Sequence, residues 1–207
     1  MSHRAGRTRW RRFAVVLVPC VAACASVGIA MAQGALAASF FISGQKFQVT
    51  ADSLTARGFS LYGTIDVTRK HELVPVVVSG FRHATVRGLC QSVVVDIPVV
   101  GTRTLRLTGG DGRPAEASNL FIDATTETVA DATFGNLDIG VAQGALTKGP
   151  VRSTDRNSRF FDPDAVAQQA TSATLTDVRV NAVAVSAGTF NIPGLALRLV
   201  RGDQACP

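Results

Sequence analysis

Gly, Pro, Asn and Asp interrupt this chain so often, and the stretches between them alternate so regularly between apolar and polar residues, that short strands are the main element it can build. Phe47-Gln48-Val49-Thr50, Gly63 to Thr68 and Thr102 to Thr108 all alternate. In the last of these, Leu105 and Leu107 fall on one face and Thr104, Arg106 and Thr108 on the other. Val74 to Val78 and Val93 to Val100 are denser in β-branched residues, which favours strand, and their prolines belong at strand ends, edges or bulges. The single helix candidate covers 163–170, with Asp162 as N-cap, Pro163 at the first helical position and Asp164 on the positive end of the dipole. The sequence therefore predicts an all-β single domain with a mostly antiparallel sheet, either a sandwich or an open, curved, groove-like sheet, and at most one short helix near 163–170.

A loose repeat runs through the strands: a small residue, alternating apolar positions, a turn-like polar residue, then Leu or Val. Its instances are Ala84 to Leu89, Ala132 to Ile139, Ala173 to Val180 and Gly188 to Leu197. Their spacing is irregular, which argues against a regular solenoid. Between Gly144 and Phe161 the chain becomes polar and basic, with Lys148, Arg152, Arg156 and Arg159 among Gly, Pro, Ser and Asn. This stretch reads as an exposed loop, solvated or at most holding anions.

Charge is concentrated at the start. Of 21 Lys plus Arg, five lie in the first twelve residues, leaving sixteen basic against fifteen acidic residues in the remainder. The formal charge of +6 is thus mostly leader, and nucleic-acid binding has no support. Residues 1–37 read as a signal peptide: arginines up to Arg12, an apolar run from Phe13, and Ala35-Leu36-Ala37 before a cleavage point at Ala38. Two alternatives remain, an uncleaved N-terminal membrane anchor and a lipidated Cys24 in Val21-Ala22-Ala23-Cys24. Either way the domain from 38 to 207 is expected outside the cytoplasm, secreted or in the cell envelope. Its two cysteines, Cys90 and Cys206, then predict one disulfide in preference to two free thiols. Neither has a Cys or His partner at metal-ligand spacing, so no metal site is expected.

Val78-Ser79-Gly80-Phe81, Leu89-Cys90-Gln91-Ser92-Val93, Asn119-Leu120-Phe121-Ile122-Asp123, Thr147-Lys148-Gly149-Pro150, Gln168-Gln169-Ala170, Ser186-Ala187-Gly188-Thr189-Phe190 and the late Cys206 occur together in this chain. In that combination the chain resembles a family of exported actinobacterial proteins of unknown function. The resemblance implies a β-rich envelope protein, and members often carry an automatic cholesterol esterase label.

The chemistry for that label is thin. A serine esterase needs a nucleophile on a strained turn, a base within reach and donors for the oxyanion. No Gly-x-Ser-x-Gly occurs, and no histidine follows His83. Gly58-Phe59-Ser60-Leu61 only approximates another hydrolase signature. If the chain were a hydrolase, Ser60 or Ser79 with His83 would be the candidates; His71 sits in a polar turn. Asp155, Asp162 and Asp164 could offer oxygens to Ca²⁺ but lack a Ca²⁺-loop spacing, and Arg201-Gly202-Asp203 is a short match to an integrin tripeptide. No cofactor is implied. The function expected is non-catalytic, either binding an apolar ligand such as a lipid or sterol, with peripheral membrane or cell-wall contact, or acting structurally; a lipid-ester hydrolase is the alternative.

Overall fold

The computed structural model describes residues 44–207, so the leader, with Cys24, Ala35, Ala37 and Ala38, lies outside the described residues. Ten strands follow one another: β1 (Phe47–Val67), β2 (Leu73–Arg87), β3 (Leu89–Ile97), β4 (Gly101–Gly109), β5 (Ala115–Thr128), β6 (Asp131–Gly135), β7 (Asp138–Ala142), β8 (Val166–Ser186), β9 (Thr189–Asn191) and β10 (Ala196–Arg201). A 3-10 turn (Gln143–Ala145) and a helical turn α1 (Ser153–Arg156) lie between β7 and β8. The protein is all-β, and its ten strands form a single antiparallel sheet.

That sheet is neither a sandwich nor open. β1 pairs with β2, β2 with β5, β5 with β8, and β8 again with β1, so four long strands close a ring. Closure leaves these strands without an unpaired edge over their shared length. β6 and β7 continue along β8 where β5 ends, and β9 runs along β5 where β8 ends.

Strands of 21 residues, as β1 and β8 are, cannot curl around so narrow a ring without bending. The bend residues are Gly58, Asn119 and Asp177, all at positive φ; Gly tolerates this conformation freely and Asn and Asp better than most. The ladders pass over the pairs that would join Gly58, Arg82, Asn119 and Thr171. On either side of this row the inward-facing residues are three apart instead of two: Ala56 and Phe59, Phe81 and Ala84, Ala117 and Leu120, Ala170 and Ala173, all buried. The irregularity at this row therefore crosses all four ring strands at one level, while Asp177 marks a second level, where the β1–β8 ladder passes over Asp52 and Asp177. The irregular repeat of the sequence is the signature of such kinks, since its turn-like position is Gly88, Asn136 and Asp177 in turn, each at positive φ. Leu54 to Phe59 and Ala115 to Leu120 are two further instances that the sequence pattern did not single out.

Inside the ring, Phe59 and Phe81 (ring centroids 5.6 Å apart) pack with many alanines and with Leu54, Leu120, Ile122 and Leu175. A second, smaller core lies on the outer face, where Tyr62, Val76, Val78, Phe121 and Ala167 meet Leu146.

Two expectations are corrected here. Residues 163–165 form a turn, with the Asp164 N–H donating to Asp162 Oδ1 at 3.0 Å, and β8 begins at Val166. Pairing of Gln168 with both Leu61 and Ile139 outweighs the local capping signal. The basic stretch 144–161 is not a free loop but a strap laid on the outer face: Leu146 and Gly149 are buried, and Arg152 is largely so. A Cβ on Gly149 would stand 2.2 Å from the backbone carbon of Phe59, so only glycine permits this approach.

β3, β4 and β10 form an arm that leaves the ring at Cys90–Ser92, where β3 still pairs with β1. The expected disulfide joins Cys90 and Cys206 (S–S 2.02 Å). Along with it, the Cys206 N–H donates to Ser92 Oγ at 2.9 Å, and Thr104 Oγ1 donates to Gly202 O while accepting from the Gln204 N–H. The C-terminal tail thus covers one face of the arm.

Candidate ligand-binding site

The ring encloses a cavity of about 290 Å³. All four ring strands line it from their inward face: Phe59 and Leu61 from β1, Val77 and Ser79 from β2, Ala124 to Glu127 from β5, and Gln168 and Leu175 from β8, with Val129 and Phe134 beside them. Beside it, β5 shifts register against β8 between Asp123 and Thr126, leaving Thr125 outside the ladder. Exposed Val77, Thr125 and Thr126 mark its rim.

Its wall is largely apolar; the polar side chains on it are the hydrogen-bonded pair Ser79 and Glu127, Gln168, and Thr125 and Thr126 at the rim. Ser79, fully buried, donates from Oγ to Glu127 Oε2 at 2.6 Å. Burial pushes the Glu127 carboxyl above its usual range, and the Ser79 hydrogen bond only partly offsets that. A carboxyl so placed can accept from, or when protonated donate to, a ligand oxygen. Deeper in the ring, a void of about 40 Å³ is bounded by Leu54, Val86, Leu120, Ile122, Val178 and Val180 among others.

On the outer face, beneath the strap, a charged cluster forms. Arg152 sends both terminal nitrogens to the Asp123 carboxylate (Nη1–Oδ2 2.8 Å, Nη2–Oδ1 2.5 Å), and Nη1 also meets Asp155 Oδ1 at 3.3 Å. Tyr62 donates to Asp155 Oδ2 at 2.7 Å and accepts from the Arg152 backbone N–H, and the guanidinium lies 5.0 Å from the Phe121 ring centre. Burial, then the Asp123 charge, pushes Asp66 up to about 7. Burial also raises Asp123, while its two bonds from Arg152 pull it back. Both Asp123 oxygens are held by Arg152, whereas the buried Asp66 Oδ2 has no hydrogen-bond partner among the described residues. Asp123, Asp155, Tyr62 and the Arg152 guanidinium thus clamp the strap to the ring, with Asp66 beside them.

The hydrolase candidates are not brought together. Ser60 faces the strap, donating to Pro150 O at 2.5 Å, whereas Ser79 faces the interior. Opposite Ser60 across the β1–β2 ladder stands Gly80, so the two serines are neighbours on opposite faces of the sheet. His83 is exposed beside a polar groove with Glu116, Ser118, Thr189 and Asn191, and no hydrogen bond joins it to either serine among the described residues. Asp155 belongs to the strap clamp, Asp162 to the turn before β8, and Asp164 is exposed, so the three do not converge on a cation. Arg201-Gly202-Asp203 closes β10 and begins the tail.

Glu127, Asp66 and Asp123 are absent from the residues that sequence motifs mark. Asp123 was the readable one: a lone acid inside Leu120-Phe121-Ile122-Asp123-Ala124 has to find a cation when that strand is buried.

Residues 43–207 match a protein family described as "Family of unknown function (DUF6230)". No curated protein matches the chain, and no solved structure does.

Proposed function

The chain belongs to that family of unknown function, and we propose that its domain binds an apolar ligand inside the ring and does no chemistry on it. The observation that carries this reading is the cavity of about 290 Å³, walled by Phe59, Leu61, Phe134 and Leu175 with a few polar groups, the hydrogen-bonded Ser79 and Glu127 among them. Apolar walls with few placed polar groups are what small-ligand sites are made of. At about 30 Å³ per water-sized group, that volume takes roughly ten heavy atoms. An acyl segment, or one end of a sterol, fits better than a whole sterol, with its oxygen at Glu127 and its tail toward the deeper void.

The domain acts outside the cytoplasm on this reading, in the envelope or secreted. The basic leader with Ala35 and Ala37 before Ala38, and the Cys90–Cys206 disulfide, support it. The resemblance to exported actinobacterial proteins labelled cholesterol esterase then reflects association with lipids. Ester hydrolysis is disfavoured because Ser60 and Ser79 donate to a carbonyl and a carboxylate, not to a histidine.

The test is extraction and mass spectrometry of the purified domain, followed by displacement of a fluorescent fatty acid. Co-purified lipid, and displacement lost in Leu175→Trp, are the expected results. An empty protein that takes up no probe, with Leu175→Trp no different, would sink the reading. Turnover of a p-nitrophenyl ester that disappears in Ser79→Ala would instead favour the hydrolase.

A further inference from the structure

We propose that the β3–β4–β10 arm docks on an anionic lipid bilayer through the face opposite its disulfide, with the β3–β4 hairpin tip entering among the lipid chains. This is independent of what the ring binds.

The two faces of the arm are unlike. One is covered in part by the C-terminal tail, with Ser92, Thr104 and Cys206 buried. On the other, strand alternation places Arg103, Leu105 and Leu107 of β4, and the register sets Arg201, Leu199 and Leu197 of β10 directly opposite them. Leu105, Leu197 and Leu199 are exposed. The hairpin tip adds Ile97, Pro98, Val99 and Val100, all exposed, and Val99 is as exposed as an isolated residue, at 108%. It also sits at φ 71°, which costs a β-branched residue energy. The hairpin therefore spends strain on holding an apolar side chain out in water, which becomes favourable only in an apolar medium.

The charges select the medium. Arg103 stands directly opposite Arg201, and on the covered face Arg106 stands directly opposite Arg198. Like charges at facing positions of an antiparallel pair repel. The acids of the arm do not relieve them: Asp96 accepts from the Thr102 hydroxyl and Asp203 from the Ala205 N–H. Arg103 and Arg201 lie just behind the apolar tip, at the depth where lipid phosphates would sit once Val99 and Val100 are inserted, and their aliphatic stems can lie along the leucines. A second copy pairing along the free edge of β10 would gather more arginines at the same place, so charge favours lipid over self-association.

The chain from Ala38 onward contains every strand, both cores and the disulfide, and is suited to vesicle flotation. It should float with phosphatidylcholine vesicles containing phosphatidylglycerol and remain unbound with phosphatidylcholine alone. Removing two cationic residues in Arg103→Gln/Arg201→Gln should weaken binding by about thirtyfold, and Val99→Asp by a similar factor, with far-ultraviolet circular dichroism unchanged since both sites are on the surface. Equal binding to neutral vesicles, or binding unaffected by both variants, overturns the proposal. So does a dimer in lipid-free sedimentation that these variants dissolve, which would assign the face to a second copy.

Discussion

The ring and the arm are parts of one sheet, yet they are held in opposite ways. The ring closes on itself, and its interior is filled largely by alanines, with two phenylalanines in contact. Small side chains are what a four-strand ring has room for, and the kinks at Gly58, Asn119 and Asp177 keep them inward along the whole of β1 and β8. Three antiparallel strands in the arm have one covered face and leucines exposed on the other, and they are held by a disulfide and a tail of side-chain hydrogen bonds. Closure makes covalent help unnecessary; an open flap with little core needs it.

The contrast is broken most severely from the ring side at Arg152. Arg152→Ala leaves Asp123, with no exposed surface, facing Asp155 and Asp66 with no cation. Removing one partner of a buried pair costs roughly 3–5 kcal/mol, and urea unfolding should show it along with proteolysis within 144–161. A loss under 1 kcal/mol with the strap still protected would mean that the clamp is replaceable. From the arm side, Cys90→Ser/Cys206→Ser opens a loop with a sequence separation of 116, worth about 2–5 kcal/mol for a native disulfide. Hydrogen exchange should then rise in β4 and β10 while β1 and β8 stay protected; uniform acceleration would show that ring and arm form one cooperative unit. A smaller effect is expected at Gly149→Ala. Its methyl would meet the backbone of Phe59 and Ser60, lifting the strap locally at a cost of about 1–3 kcal/mol, with Tyr62 quenching changed and the interior cavity still able to bind its probe.

What could be read from the sequence divides along the same line. Strand content and the irregular kink pattern are local signals, carried by alternation and by Gly, Asn and Asp, and they survive in the structure; the disulfide spans 116 residues and was legible only because Cys90 and Cys206 are the two cysteines after the leader. Closure of the ring is not local: it rests on β1 meeting β8 more than a hundred residues later, and no window of sequence contains both. The helix expected near 163–170 failed for this reason, since its residues are committed to that distant pairing. Arginine in a polar run reads as solvated, and Arg152 finds its acids on β5 and α1 only in the folded chain. Ser79 reads as a hydrolase candidate with His83, whereas its hydrogen-bond partner is Glu127, which lies 48 residues away and carries no motif.

The finest test of the clamp is its response to pH. Asp66 faces Asp123, Arg152 and Asp155, and burial with the neighbouring Asp123 charge raises it from an ordinary 3.8 to about 7. Between those values the folded state holds a proton that the unfolded chain has released, so stability falls as pH rises. The contribution is full below about pH 4 and is lost once the pH passes about 7. Glu127 is also raised and acts with the same sign, so the decisive quantity is the difference between two proteins. Asp138, lowered first by its bond from Lys148, loses its contribution only below its own ordinary value and leaves this window alone. The urea midpoint of the native protein should fall between pH 5 and 8, and Asp66→Asn, which keeps a donor toward Asp123 without an ionisable group, should fall less. Equal slopes in the two proteins would place the source of the pH dependence elsewhere and return Asp66 to an ordinary carboxylate beside the strap.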